Sequence, residues 1–160
     1  MSAQEETTTE TTWSAFRRPN RPRMPPVDAT AIAEEIDRLR EQVPGVDGVL
    51  VATVEGLLIA QDMPDTESNT AAALAATMHG LGERATATLS RGQFRNSVTW
   101  GSHGYVAVYA AGPIAVLTVL ASPASNVGRL HLEARRSADR IAELVPGPDY
   151  SSLPPVDPPY

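Results

Sequence analysis

Apolar residues recur at helical spacing in three stretches of the chain. The first stretch follows Asp28 or Thr30, either of which can cap a helix, and it stops at Pro44-Gly45. The second runs from Thr66 to Leu89, and the third from about Asn126 to Val145. These patterns predict three helices.

Short apolar, β-branched runs between these helices indicate strands. Glu55-Gly56 lies between the first two runs and predicts a two-residue hairpin turn. The predicted strands are Gly48–Val54, Leu57–Ala60, Gln93–Trp100, Tyr105–Ala110 and Ile114–Ala121. The order α-β-β-α-β-β-β-α favours an α+β domain with one five-stranded antiparallel sheet and three helices, because parallel βαβ units would require strands and helices to alternate.

The second helix has two distinct apolar stripes. Large residues dominate one stripe, which we expect to face the core: Leu74, Met78, Leu81, Ala85 and Leu89. Small residues dominate the nearly opposite stripe: Ala72, Ala76, Gly80, Glu83 and Ala87. A solvated face should carry several charges, and this second stripe carries one, so we interpret it as a close helix-to-helix contact with a partner subunit. The alternative is a general alanine bias combined with good helix propensity.

Composition divides the chain into one domain and two tails. Residues 1–27 and 147–160 are rich in proline and poor in aliphatic residues, so we expect both to be disordered around a domain at 28–146. The N-terminal tail carries Trp13 and Phe16 just before the cluster Arg17–Arg23, which could dock a partner or an anionic lipid surface. We favour a solubilising tail and expect no membrane contact there.

Charge and residue usage exclude several function classes. The net charge is -6 and the predicted domain is acidic, which argues against nucleic acid as the main partner. All 13 basic residues are arginine, so lysine-dependent nucleotide hydrolysis and Schiff-base chemistry are impossible for this chain. The absence of cysteine excludes disulfides and thiol catalysis, and with no signal or membrane segment it predicts a cytoplasmic protein.

Candidate catalytic and metal-binding groups are scattered. His79, His103 and His131 have no second ligand at a recognisable metal spacing, and no nucleophile elbow is present. Arg91 and Arg95 flank a glycine turn, where an arginine finger could stand, but solvated arginine is the favoured interpretation. We therefore expect no catalytic site, no cofactor and no metal.

Two segments together resemble the Roadblock (dynein light chain) family. One is the hairpin region Val43–Ala60, with the pattern PGV.G..V.....G.L.A, and the other is Asn126–Arg136, with the pattern N.G.L..E.RR. The resemblance covers about residues 32–145, and the arginine-only composition is similar to that of actinobacterial members. It implies a profilin-like sandwich and a homodimer that uses the second helix.

The resemblance also implies a function, namely binding and regulation of a bacterial Ras-like small GTPase by activating or scaffolding it. Some bacterial members occur in operons with a sensor histidine kinase, which is a further candidate partner. Exposed residues near the second helix, His79, Glu83 and Arg84, are the candidate GTPase contacts. Two alternatives stay open: a small-molecule sensor of PAS or GAF type, and a passive dimeric scaffold without effect on GTP turnover.

Overall fold

A computed structural model describes residues 26–64 and 67–148 of the chain. The three helices are α1 (Ala29–Gln42), α2 (Ser68–Thr88) and α3 (Val127–Leu144). The five strands are β1 (Val46–Thr53), β2 (Leu58–Asp62), β3 (Asn96–Gly101), β4 (Gly104–Ala111) and β5 (Ala115–Ala121). The predicted α-β-β-α-β-β-β-α order is confirmed. Most of both predicted tails, and the predicted helix start at Thr66, lie outside the described residues.

One antiparallel sheet holds all five strands in the order β2-β1-β5-β4-β3. The β1–β2 connection is longer than the predicted two-residue turn. The Thr53 amide donates to the Leu57 carbonyl at 2.8 Å, and Gly56 adopts φ +91°, a conformation that favours glycine. The register of the β1–β2 pair shifts between Val51 and Ala52, because these pair with Ala60 and Leu58 and leave Ile59 of β2 as an extra residue.

Helices cover both sides of this sheet, and the sheet's alternating side chains give each side its own core. On one side, α1 and α3 pack on the sheet through Ile32, Ile36, Leu39, Leu130 and Ile141, all fully or almost fully buried. On the other side α2 packs alone, mainly against Leu50, Val108 and Val116. The inward face predicted for the last helix is confirmed at Leu130, Ala134, Ala138, Ile141 and Val145.

Local signals set the ends of α1 and α3. The Asp28 carboxylate accepts a hydrogen bond from the Ala31 amide at 3.0 Å, and the Asn126 side chain does the same for Arg129 at 2.9 Å. At the other end of α1, Gly45 adopts φ +91° and brings the chain against Ser125, just before α3. The C-terminal end of α1 therefore lies beside the N-terminal end of α3.

Candidate functional site

The face of α2 that contacts the sheet differs from the predicted face. Ala72, Ala75 and His79 are buried against the sheet, whereas the leucines predicted to be inside point to solvent. The exposed fractions are 60% for Leu74, 70% for Leu81 and 66% for Leu89. The predicted core face of this helix is therefore wrong. Apolar side chains of the strands lie beneath α2, and the helix meets them with two alanines and one larger side chain, His79.

The small-residue stripe of α2 is buried within the subunit at its first member and accessible toward its last. Ala72 is fully buried between α2 and the sheet, so its predicted place in a contact between subunits is wrong. Ala76 is half-buried, and a Cβ atom placed on Gly56 would lie 3.3 Å from Ala73 Cα and 3.7 Å from Ala76 Cβ, so the β1–β2 turn lies close to this part of α2. The other members, Gly80, Glu83 and Ala87, stay accessible, and their subunit contact remains a prediction.

The leucines of α2 form an exposed apolar stripe on a different face of the helix from the small-residue stripe. We name Leu74, Met78, Leu81 and Ala85 the leucine stripe of α2. Met78 is half-buried at its base, and the other three side chains are exposed. Their alternating spacing of four and three residues is that of the seam of a coiled coil. An isolated subunit leaves this seam in contact with water.

His79 is the most buried of the three predicted GTPase-contact residues. Only 3% of it is exposed, so the expectation of an exposed His79 is wrong; the inward face of α2 includes this position. Its ring meets Phe94 edge-on at a centroid distance of 5.2 Å, and its Nε2 lies 3.8 Å from Glu83 Oε1. Glu83 and Arg84, by contrast, are exposed as predicted.

Phe94 explains a second small residue in α2. A Cβ atom placed on Gly82 would lie 2.3 Å from Phe94 Cε2, so only glycine allows the ring to sit under the helix. This packing closes one wall of a half-open cavity of about 810 Å³. The cavity lies where α2, the loop before β3, the end of β4 and α3 meet.

Charged groups of both signs line this cavity. Arg95 and Arg135 provide the positive charges, and Glu83 and Asp139 the negative ones. Tyr109 lies between them, almost fully buried, with its hydroxyl 3.4 Å from His131 Nδ1. Burial, assisted by the neighbouring Tyr105, raises the pKa of Tyr109 to about 12, so this phenol is neutral at physiological pH. The sequence offered no sign of the cavity, because its charged residues come from three distant segments.

Among the residues that the structure describes, one further histidine lies close to a serine. Ser102 Oγ lies 2.8 Å from His103 Nδ1, but the two residues are neighbours in the exposed β3–β4 turn. Within residues 26–64 and 67–148, no group of three or more His, Asp or Glu side chains could hold a metal ion. None of the helices in those ranges is long and apolar enough to cross a membrane.

Comparison with known proteins assigns the fold to a family. The family model described as Roadblock/LC7 domain matches residues 32–121, which is more than half of the chain. This agrees with the resemblance found in the sequence. The matching family is the Roadblock/LC7 domain and not a PAS or GAF sensor domain. None of the curated protein sequences matches the chain significantly.

Several solved structures share the fold at low sequence identity. MglB in a tetrameric arrangement has a TM-score of 0.69 and 17% identity, covering 79% of this chain and 97% of that one. The gliding protein MglB from Thermus thermophilus has a TM-score of 0.68 and 16% identity, covering 79% and 98%. A Roadblock/LC7 domain from Streptomyces avermitilis has a TM-score of 0.65 and 22% identity, covering 69% and 93%. These proteins are similar to this chain in fold.

Proposed function

We propose that this chain, which belongs to the Roadblock/LC7 domain family, is a non-catalytic homodimeric regulator of a Ras-like small GTPase. The family resemblance supports a GTPase-regulating or scaffolding role. The lack of lysine supports a chain that regulates a GTPase and does not itself hydrolyse GTP, because it cannot supply the lysine of a phosphate-binding loop. A sensor histidine kinase system is the proposed wider context.

The leucine stripe of α2 is the observation that carries the proposal. Three of its four members are exposed in the single subunit, and leucines in a regular seam are unfavourable in water. An α2 helix of a second subunit would cover the stripe by packing its own leucines between them. The subunit contact proposed here is therefore centred on Leu74, Met78, Leu81 and Ala85, and not on Ala72.

The GTPase-contact residues retained in the proposal lie on the flank of α2. Glu83 and Arg84 are both exposed. Glu83 lies nearly opposite the leucine stripe, and Arg84, three residues after Leu81, borders it, so pairing of two α2 helices leaves Glu83 accessible and Arg84 at the rim of the subunit contact. His79 lies beneath Glu83 and supports it from below. We therefore assign direct contact to Glu83 and Arg84, and a positioning role to His79.

The regulator should prefer the GTP form of its partner. The γ-phosphate orders the switch segments of such GTPases, and a protein that contacts ordered switches binds the GTP state more tightly. A regulator can shift its partner between states only through such a difference in affinity.

The test is titration calorimetry of the full chain with the Ras-like GTPase encoded nearest to it. The GTPase is loaded with GDP or with a non-hydrolysable GTP analogue. We expect at least about tenfold tighter binding to the GTP-analogue form. Equal affinity for both forms would favour the passive scaffold. Binding of labelled GTP by this chain alone would contradict the regulator and indicate a nucleotide-binding domain.

A further inference from the structure

The half-open cavity lies between helices from both sides of the sheet, and we name it the α2–α3 cavity. His79 and Glu83 of α2 line it from one side. Arg135 and Asp139 of α3 line it from the other, and the loop before β3 and the β4–β5 turn complete the lining. Its volume of about 810 Å³ lies within the range of about 300–1,000 Å³ that is typical of small-molecule sites. The cavity is therefore large enough for a small ligand.

The main chain around the α2–α3 cavity is held in place by packing and hydrogen bonds. The Arg95 carbonyl accepts a hydrogen bond of 2.9 Å from the Ala110 amide, which ties the loop before β3 to β4. On α3, Ala138 is 3% exposed and packs in the core, directly before Asp139 and one turn after Arg135. The cavity is thus preformed, as small-molecule sites usually are.

The α2–α3 cavity carries balanced charges that do not neutralise each other. Two arginines, Arg95 and Arg135, share it with two acids, Glu83 and Asp139. Within residues 26–64 and 67–148, no ion pair includes Arg95, Arg135 or Asp139. Glu83 contacts only His79, with 3.8 Å between Oε1 and Nε2. Groups of both signs are therefore available to a molecule that enters the cavity.

This mixture of charges restricts the kind of ligand. A purely anionic molecule meets repulsion from Glu83 and Asp139, and a purely cationic one meets repulsion from the arginines. Guanidinium groups bind carboxylates through two parallel hydrogen bonds, and carboxylates accept hydrogen bonds from ammonium groups. A zwitterion with one carboxylate and one ammonium group satisfies both sets.

Size and apolar lining favour a short peptide over a single amino acid. Phe94, Ala87 and Pro113 also line the cavity and provide a surface for an apolar side chain. An amino acid carries both charges on one carbon, whereas the charged residues of α2 and α3 come from opposite sides of the sheet. Each residue of an extended chain adds about 3.3–3.6 Å between the charged ends, so two or three residues separate them across the cavity.

We propose that the α2–α3 cavity binds a peptide of two or three residues with free termini. Its carboxylate lies at Arg95 and Arg135, and its ammonium group lies at Glu83 and Asp139. The proposal does not depend on the GTPase. Glu83 is also a proposed GTPase contact, so peptide binding is measured on this chain alone, and the two proposals can fail separately.

The first experiment is titration calorimetry of the full chain with three tripeptides. Each has alanine at both ends and phenylalanine, leucine or valine in the middle. We expect at least one of them to bind with a Kd below about 1 mM. The same peptides with an acetylated N-terminus or an amidated C-terminus should bind at least about tenfold more weakly, because each form lacks one of the two charges. This comparison needs no variant of the protein.

Substitutions on α3 then assign each end of the peptide. Arg135→Gln should weaken the free peptide about tenfold and leave the amidated form unchanged, since that form has no carboxylate to lose. Asp139→Asn should do the same for the free and acetylated forms. The matched controls are Arg129→Gln and Glu143→Gln, because both residues are exposed on α3 outside the cavity. Circular dichroism verifies that each variant is folded.

Four results would overturn the proposal. The first is the absence of saturable binding for all three free tripeptides. The second is equal affinity for the free and capped forms, and the third is binding that neither Arg135→Gln nor Asp139→Asn weakens. The fourth is binding of inorganic phosphate that requires Arg135 while no peptide binds, because it would assign the cavity to simple anions.

Discussion

Arg140 of α3 donates a hydrogen bond of 2.6 Å to the carboxylate of Glu35 in α1, across 105 positions of the chain. Ser137 donates a second one, also of 2.6 Å, and Arg38 pairs with the other carboxylate oxygen at 3.1 Å. Glu35 is 4% exposed, so this is a buried charge shared between two helices. The contact links α1 to α3 above the apolar core that the two helices share.

Removing the charge of Glu35 should change the dependence of stability on pH. Burial opposes ionisation of this carboxyl, but hydrogen bonds from Arg140 and Ser137, with the nearby guanidinium charges, hold its pKa below the ordinary value of 4.5. Its contribution is therefore present above about pH 4.5 and is lost as the pH falls through the lower pKa of the folded state. Urea unfolding of Glu35→Gln should show a shallower loss of stability below pH 4.5 than the native chain.

At neutral pH the two partners of this ion pair should differ in their effect. Glu35→Gln leaves Arg140 partly solvated and should cost about 2 kcal/mol of unfolding free energy, whereas Arg140→Met leaves a buried carboxylate with less compensation and should cost about 3 kcal/mol. Glu34→Gln is the matched control, since Glu34 is exposed on the same helix. Equal effects of Glu34→Gln and Glu35→Gln would contradict the assigned role.

The leucine stripe predicts a homodimer at micromolar concentration. Leu81→Glu places a carboxylate in the centre of the proposed seam and should yield a folded monomer by light scattering. Leu57→Glu changes another exposed leucine, outside the seam, and should leave the dimer intact. A monomeric native chain would refute the proposed contact.

Two glycines of α2 should respond to alanine in opposite directions. A Cβ at Gly82 would collide with Phe94, and overpacking of about 1–3 kcal/mol should outweigh the gain in helix propensity of about 1 kcal/mol. A Cβ at Gly80 meets nothing within 4 Å, so Gly80→Ala should stabilise the chain by about 0.5–1 kcal/mol. Thermal unfolding of Gly80→Ala and Gly82→Ala measures both changes in stability.

The Gly80→Ala variant also distinguishes two possible subunit contacts, one through the small-residue stripe and one through the leucine stripe. If the small-residue stripe formed a tight interface at Gly80, Gly80→Ala would weaken the dimer. If the leucine stripe forms the interface, this substitution leaves the dimer unchanged. Light scattering of Gly80→Ala over a dilution series decides between them.

Sequence patterns predicted the elements of this fold better than their orientation. The helix predicted at Thr66–Leu89 is present as Ser68–Thr88, but the large-residue stripe was assigned to the core and points to solvent. Apolar periodicity does not say whether the sheet or a partner covers a stripe. Glu35 showed only as an acidic residue near a helix start, since its partner Arg140 is brought near by the tertiary fold. The cavity was missed for the same reason: Arg95 and Arg135 meet only after the sheet has formed.

The tails are predicted to be dispensable for folding. A chain shortened to residues 27–146 keeps Val27, which packs on the core, and Val145, which is fully buried. Its melting temperature should lie within about 3 °C of that of the full chain. Loss of a cooperative transition in calorimetry would show that a removed segment contributes to the core.

Substituting Glu83 and Arg84 together should weaken binding of the GTPase without disrupting the dimer. Both side chains are exposed; Glu83 lies nearly opposite the leucine stripe and Arg84 at its edge. Glu83→Ala with Arg84→Ala therefore removes partner contacts and leaves the four residues of the seam unchanged. We expect about tenfold weaker binding of the GTP-analogue form in calorimetry, since exposed charges at an interface contribute modestly. The control is Glu34→Ala with Arg129→Ala, which removes an exposed pair of charges of the same types from the other side of the sheet. Unchanged affinity in the α2 variant, or an equal loss in the control, would place the GTPase on another surface of the domain.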